Sequence, residues 1–227
     1  MPDYIGFLID RWGELVQLTV QHAEIVLTSM AIAIVIGISL GTLITFNDRA
    51  ASVVLWLAGI SMTIPSIALF GLLIPVLGIG SPPVIFSLVL YSQLPLVRNT
   101  YIGLTEVDDA AVEVGRGMGM TRWERLRYIQ IPNALPVIMA GLRNAVIIIV
   151  GVAAIGAFIG AGGLGDFIFQ GIRKRDIAMI VVTTAFLSAM ALVFDYGFGV
   201  LEQLFRLRNG EDIERSIVTD TIWKVIT

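Results

Sequence analysis

The chain contains no cysteine and a single histidine, and only 15% of its 227 residues are Asp, Glu, Lys or Arg. The missing cysteine rules out disulfides and thiolate chemistry, and one histidine leaves a histidine-rich metal site out of reach. A soluble domain carries about 25% charged residues, so the low charge argues against a water-soluble enzyme. Fifteen basic against eighteen acidic side chains give a formal net charge of -3, which leaves no basic reservoir for nucleic-acid phosphates. What fills the chain is apolar: 56% of residues are hydrophobic types. These proportions describe an integral membrane protein.

Runs without a formal charge divide the chain. Residues 25–47, 50–97, 144–165 and 177–194 carry none, giving lengths of 23, 48, 22 and 18 residues. A helix needs roughly 20 apolar residues to cross a bilayer, because an unsatisfied backbone group in hydrocarbon costs several kcal/mol. The longest run fits two crossings, divided at a turn written by Pro75, Gly78, Gly80, Ser81, Pro82 and Pro83. The expected spans are therefore 25–46, 52–74, 84–103, 134–157 and 177–203. Ahead of them, Phe7, Leu8, Trp12, Leu15, Val16 and Thr19 form one stripe, which predicts an interfacial amphipathic helix over 4–20. His22, just before the first span, reads as an interfacial anchor.

Five spans put the termini on opposite sides. Arg49, Arg98, Arg116, Arg122, Arg125, Arg127, Arg206 and Arg208 fall on one side, against Arg11, Arg173, Lys174 and Arg175 on the other. The excess of basic residues marks the cytoplasmic side, so the N terminus is expected outside and the C terminus inside.

The connection 104–133 is long for a bare loop. Residues 107–114 read as a short helix with acidic groups in its first turn, and Gly115, Gly117 and Gly119 then interrupt it. Thr121 and Glu124 write a capping box for a second helix over 121–130, which Pro132 is expected to stop. Two short helices and a glycine bend below a membrane core form a knob suited to a partner's groove. The same pattern also fits an amphipathic segment lying on lipid headgroups.

At these residues the sequence resembles a known family. Glu113-Val114-Gly115-Arg116-Gly117-Met118-Gly119, followed by Ile131-Pro132, resembles the "EAA" loop of binding-protein-dependent ABC importer permeases. Glu113, Gly119 and Pro132 match the motif's glutamate, glycine and proline. Val114 and Gly115 replace its two alanines, and Gly115 weakens the helix by roughly 1 kcal/mol. Thr63-Ile64-Pro65-Ser66-Ile67-Ala68-Leu69-Phe70-Gly71, Ala134-Leu135-Pro136-Val137-Ile138 and Phe158-Ile159-Gly160-Ala161-Gly162-Gly163-Leu164-Gly165-Asp166 are similar to the osmoprotectant branch, and the likeness covers about residues 10–208.

The resemblance implies an all-α polytopic membrane protein with five transmembrane helices, an N-terminal interfacial segment at 1–22 and a transmembrane domain at 23–208. Its cytoplasmic coupling loop would lie near 104–133, with a C-terminal tail at 209–227. It implies a multi-pass permease of a prokaryotic cell membrane that imports glycine betaine, choline, carnitine or related solutes. The implied partners are two ATP-binding cassette subunits, a second permease chain and an extracytoplasmic solute-binding protein. ATP and Mg would sit in the partner ATPase, since this chain has no Gly-x-x-x-x-Gly-Lys-Ser/Thr pattern. Coupling would fall to Glu113, Val114, Gly115, Gly117, Gly119, Trp123 and Pro132, with no catalytic residue and no cofactor in this chain.

Within the spans, Arg143 and Asp195 should lie at similar depth, since helices rise about 1.5 Å per residue. Charges at membrane depth are costly unless paired or facing water, so a pair or shared network is expected, acting as a gate or as a permanent clamp. Pro65 predicts a kink in the second span, and Gln93 with Pro95 makes the third span's inner half polar; both could line a path or be purely structural. Gly162, Gly163 and Gly165 fall at the external end with Arg173, Lys174 and Arg175, a candidate receptor side or a solvated loop. A secondary transporter, or an ABC permease for another small polar solute such as an amino acid, is the competing reading.

Overall fold

The computed structural model describes residues 3–208 and 218–220. Among them every regular element is a helix: α1 (Tyr4–Asp10), α2 (Trp12–Ile44), α3 (Asp48–Ser61), α4 (Ser66–Leu77), α5 (Ser81–Thr105), α6 (Asp109–Gly117), α7 (Arg122–Arg125), α8 (Ile131–Gly156), α9 (Gly165–Lys174) and α10 (Ile177–Arg208). The C-terminal tail expected at 209–227 lies outside the described residues, apart from 218–220.

The expected helix over 4–20 is divided. The Asp3 carboxylate accepts the Gly6 N–H at 2.8 Å and starts α1, which ends at Arg11. From Trp12 the chain enters α2, a single 33-residue rod. Nothing between Val20 and Ile25 breaks a helix, so no boundary forms at 22/23. The N-terminal stripe also covers protein: Leu15 is fully buried against Phe167 and Met179, and Phe7 packs edge-on to Phe167 at 5.8 Å.

The expected second span is two helices bent by 97° across residues 62–65. Pro65 has no N–H and disfavours a helical conformation at Ile64. The loss is more than a kink because Thr63 and Ile64 tighten to bond Ile60 and Ser61, three residues back. Irregular backbone at membrane depth must be satisfied inside the protein, and the Tyr91 hydroxyl donates to the Ile64 carbonyl at 2.9 Å. Pro75 lies inside α4 rather than in the following turn, which is made at Gly78 and Gly80, with φ of 79° and 112°.

α5 runs through the centre, between α2 and α8. Ser29, Ala33, Gly37 and Gly41 recur every four residues and are all buried. That row lets the α2 backbone lie directly on α5, as small-residue stripes do between membrane helices. A methyl at Gly37 would meet Leu96 Cβ at 2.6 Å, and one at Gly41 would meet Thr100 Cβ at 2.6 Å and the Val97 carbonyl at 2.9 Å. From the other side, a methyl at Gly141 would lie 2.6 Å from Asn99 Cβ. Phe70, Val84, Leu88, Val146 and Ile149 fill the core around this seam.

Three helical stretches among the described residues are long and apolar enough to cross a membrane: α2, Arg122–Ile159 with α8 at its centre, and α10. The bent pair α3 and α4 makes a fourth if it counts as one crossing. The fifth expected crossing, α5, has the length but carries Gln93, Pro95, Arg98 and Asn99.

The close seam has a stability consequence. Overpacking a well-filled contact costs about 1–3 kcal/mol, so Gly41→Ala should lower the unfolding temperature of the purified protein. Gly13→Ala, whose methyl meets nothing within 4 Å, should leave it unchanged or slightly raised. Equal behaviour of the two variants in a thermal unfolding assay would contradict the seam.

Candidate functional site

The connection below the bundle is a braced knob. The Asp108 carboxylate accepts the Ala110 N–H at 2.9 Å and starts α6, with Asp109 in its first turn and Arg116 in its last. At its far end Gly119 takes φ 79°, Met120 N–H reaches the Gly115 carbonyl at 3.0 Å and Gly119 N–H the Arg116 carbonyl at 2.9 Å. This is a glycine-terminated helix stop that satisfies carbonyls of the last turn. Thr121 and Glu124 form the expected capping box: Glu124 N–H donates to Thr121 Oγ1 at 3.3 Å, and Thr121 N–H donates to Glu124 Oε2 at 2.7 Å. Those bonds from the Thr121 N–H and hydroxyl hold the Glu124 carboxyl below the usual glutamate range. The box therefore holds at neutral pH and is lost as pH falls through that lowered value.

Pro132 does not stop the second helix. α7 runs through a wide π turn at Leu126–Gln130 into α8, and the Ile131 N–H reaches back five residues to the Leu126 carbonyl. Widening the turn just before the proline lets the rod continue. The knob is thus the end of α8 rather than a separate loop. Its root is packed: Leu126 is buried with Leu104, Ala134 and Ile138, and Gln130 Nε2 donates to the Leu104 carbonyl at the end of α5 at 3.0 Å. Across the bend, Arg125 Nη1 donates to the Met120 carbonyl at 2.6 Å.

Glu113, Val114, Gly117, Gly119 and Trp123 lie exposed on the knob, whereas Gly115 is buried inside it and Pro132 is half-buried at its root. Gly115 sits at a close approach: a methyl there would lie 2.5 Å from Ile129 Cδ1. That atom ends a side chain able to swing aside, so alanine fits with local repacking and a larger residue does not. Val114 is 63% exposed, Met118 71%, Trp123 65% and Tyr128 62%. Met118, at a variable position of the motif, and Tyr128, outside it, complete an apolar tip that water does not favour.

A second constellation joins α8 to α10. Arg143 Nε donates to Asp195 Oδ1 at 2.7 Å and Nη2 to Oδ2 at 3.0 Å, a two-pronged pair. Arg143 Nη1 lies 3.6 Å from Glu202 Oε2, and Glu202 Oε1 lies 3.6 Å from Arg206 Nη1. Asp195, Glu202 and Arg206 share one face of α10 by their spacings of seven and four. The sequence marks Arg206 only as a basic residue beyond the last span and leaves Glu202 unremarked, although that spacing signals both. Gln93 is not beside this network. It is buried in the seam of α2 and α5, its Nε2 donating to the Val89 carbonyl at 2.8 Å and its Oε1 turned toward Gly37. Pro65 stays exposed at the break before α4.

At the end of the bundle opposite the knob, Gly162 and Gly163 both adopt φ 80° and lay the chain on α2. A methyl at Gly163 would meet His22 Nδ1 at 2.9 Å, and one at Gly165 would overlap the Ala154 carbonyl. His22 is therefore no interfacial anchor: it is fully buried beneath this loop, with Nε2 3.1 Å from the Val150 carbonyl. Arg173, Lys174 and Arg175 are exposed at the end of α9, Lys174 donating to Gln170 Oε1 at 3.1 Å. Asp166, at the start of α9, is pushed up by burial and partly offset by Arg173.

The family described as binding-protein-dependent transport system inner membrane component matches residues 33–207. The chain belongs to this family. The permease is 45% identical over 199 residues to an osmoprotectant import permease protein of Salmonella typhimurium, covering 86% of this chain and 93% of the relative. It is 38% identical over 203 residues to a glycine betaine/carnitine/choline transport system permease protein of Bacillus subtilis, covering 89% and 94%. A carnitine transport permease protein of Listeria monocytogenes is 46% identical over 172 residues, covering 75% and 77%. In fold, the permease matches an inward-facing structure of the MetNI methionine ABC transporter with a TM-score of 0.73, at 21% identity, covering 84% of this chain and 96% of that one.

The charge network permits a swap test in this permease. Arg143→Asp and Asp195→Arg should each lower the yield of folded protein and its transport, and the double variant should recover part of both. Residues in direct contact couple by about 0.5–3 kcal/mol, and partial exposure of the pair to solvent places the value at the lower end. A double variant no better than the worse single one would contradict a direct contribution of the pair.

Proposed function

We propose that this permease is the translocation subunit of an ATP-driven importer for osmoprotectants such as glycine betaine, choline or carnitine. Five crossings are assigned to α2, the bent pair α3 and α4, α5, α8 and α10. The 25 residues of α5 span about 37 Å at 1.5 Å per residue, enough for the hydrocarbon core. Its polar side chains are tolerable because α2 and α8 cover most of it. The basic excess at the knob side favours a cytoplasmic knob and C terminus, with α9 and the N terminus outside.

The single observation that carries the mechanism is the braced knob. A tip with Val114, Met118 and Trp123 exposed suits the groove of an ATP-binding subunit, and Glu113 makes no bond within the described residues that would compete with a partner's basic group. The root is continuous with α8 and tied to α5 by Gln130 and Leu126. A displacement of the knob is then a displacement of two membrane helices, because a stiff, packed rod moves as a body. ATP hydrolysis falls to two separate subunits, and a second permease chain, identical or homologous, completes the translocation unit. The Arg143 network would hold the inner ends of α8 and α10 together so that they shift as one element. Gly162, Gly163 and the tribasic end of α9 would form the face met by the extracytoplasmic receptor. The osmoprotectant class comes from the relatives' solutes.

The test is ATPase activity of the complex in lipid nanodiscs, with its ATPase and receptor, with and without each of the three solutes. Stimulation should need both the receptor and a cognate solute, and Trp123→Glu should abolish it without loss of folded permease. Activity indifferent to all three solutes would move the substrate elsewhere, for example to an amino acid. A preparation with no associated ATPase would overturn the importer reading in favour of a secondary transporter.

A further inference from the structure

The α5/α8 face is mixed, with polar side chains set among apolar ones. Exposed positions on α3 (Val53, Trp56, Leu57), α4 (Leu72, Val76) and α10 (Leu192, Val193) are apolar, as a surface against lipid tails requires. A groove between α5 and α8, bordered by Met62 of the broken pair, sets Arg98, Asn99 and Asn144 among Leu94, Pro95, Ile147 and Ile148. Arg98 is exposed on this groove and meets no carboxylate among the described residues. It lies seven residues before the end of α5, about 10 Å along the helix. Its neighbour Asn99 packs against Gly141, ten residues into α8.

An ionised group at such depth faces water or an opposite charge. Arg143 meets this demand within the chain, through Asp195; Arg98 does not. The broken backbone at Met62 beside the groove is a second mark, since interrupted membrane helices are tolerated where they line a cavity. On the importer reading, we propose that Arg98 is a carboxylate-recognising station in the wall of the translocation path. Its planar guanidinium offers paired donors that match a carboxylate, and the exposed Asn144 amide adds a neutral donor on the facing helix. The station acts on solutes that carry a carboxylate beside their cation, such as glycine betaine and carnitine, and is indifferent to choline, which has none.

The natural chain is free of cysteine, so a single cysteine can report on the groove. Asn144→Cys is placed in the full complex in nanodiscs, and modification of this chain by anionic and cationic methanethiosulfonates is followed by mass. A charged cleft concentrates opposite ions on the order of tenfold or more. The anionic reagent should therefore react about tenfold faster than the cationic one, and Arg98→Gln should bring the two rates together. Excess glycine betaine or carnitine should slow the reaction, and choline at equal concentration should not. No modification by either reagent would place the face against lipid or a second chain and overturn the proposal, as would a rate ratio indifferent to Arg98→Gln. An Arg98-dependent ratio that glycine betaine and carnitine leave untouched would overturn the solute class alone and keep the anion station.

Discussion

α5 is a long helix that cannot be given wholly to lipid, and the bundle is organised around covering it. Gln93, Thr100 and Asn99 sit on it with two prolines in its first turn and a third, Pro95, inside. Burying a polar group without a partner costs roughly 2–7 kcal/mol, so the helix needs protein on most sides. α2 supplies one wall through Ser29, Ala33, Gly37 and Gly41, and α8 the other through Gly141 and Ala134. Side chains are small or absent at these points so that backbones can meet, which replaces hydrophobic exclusion with dense van der Waals contact, the attraction that works inside a bilayer.

From that seam follows the mechanical design. α5 and α8 share a long antiparallel contact and end beside each other at the knob, where Gln130 donates to Leu104. The prolines along this path are handled in different ways. At Pro65 the helix breaks and Tyr91 takes the freed carbonyl of Ile64. At Pro132 the helix widens by one residue and continues, which keeps the knob rigidly attached to α8. Breaking the rod at Pro132 would leave the knob on a hinge.

The sequence made some of this legible through local, additive signals. The Gly/Pro turn before Val84 and the charge-free run from Ile177 marked the starts of α5 and α10 closely, Thr121 with Glu124 wrote a cap that forms, and two lone charges at matching depth pointed to the pair of Arg143 and Asp195. What it hid depends on neighbours distant in the chain. Pro132 read as a stop because proline breaks an ordinary helix, and nothing local announces a π turn. His22 read as interfacial because position along the chain does not reveal that Gly163, far downstream, folds over it. Gln93 read as a path residue because a polar side chain in a span has two solutions, water or a protein seam, and only packing chooses between them. The α2 stripe was written plainly as Gly37-Ile38-Ser39-Leu40-Gly41, but a small-residue spacing names no partner until α5 is placed.

The central claim is that the knob couples this permease to an ATP-binding subunit. The most direct measurement is site-directed cross-linking in membranes from cells expressing the whole system, with a photoreactive residue at Met118, which is exposed at the tip, and another at Leu72 on the outer face of α4. The account predicts a covalent adduct between position 118 and the ATP-binding subunit, with none from position 72. Cross-linking of position 118 to lipid alone would contradict it and return α6 and α7 to the membrane surface.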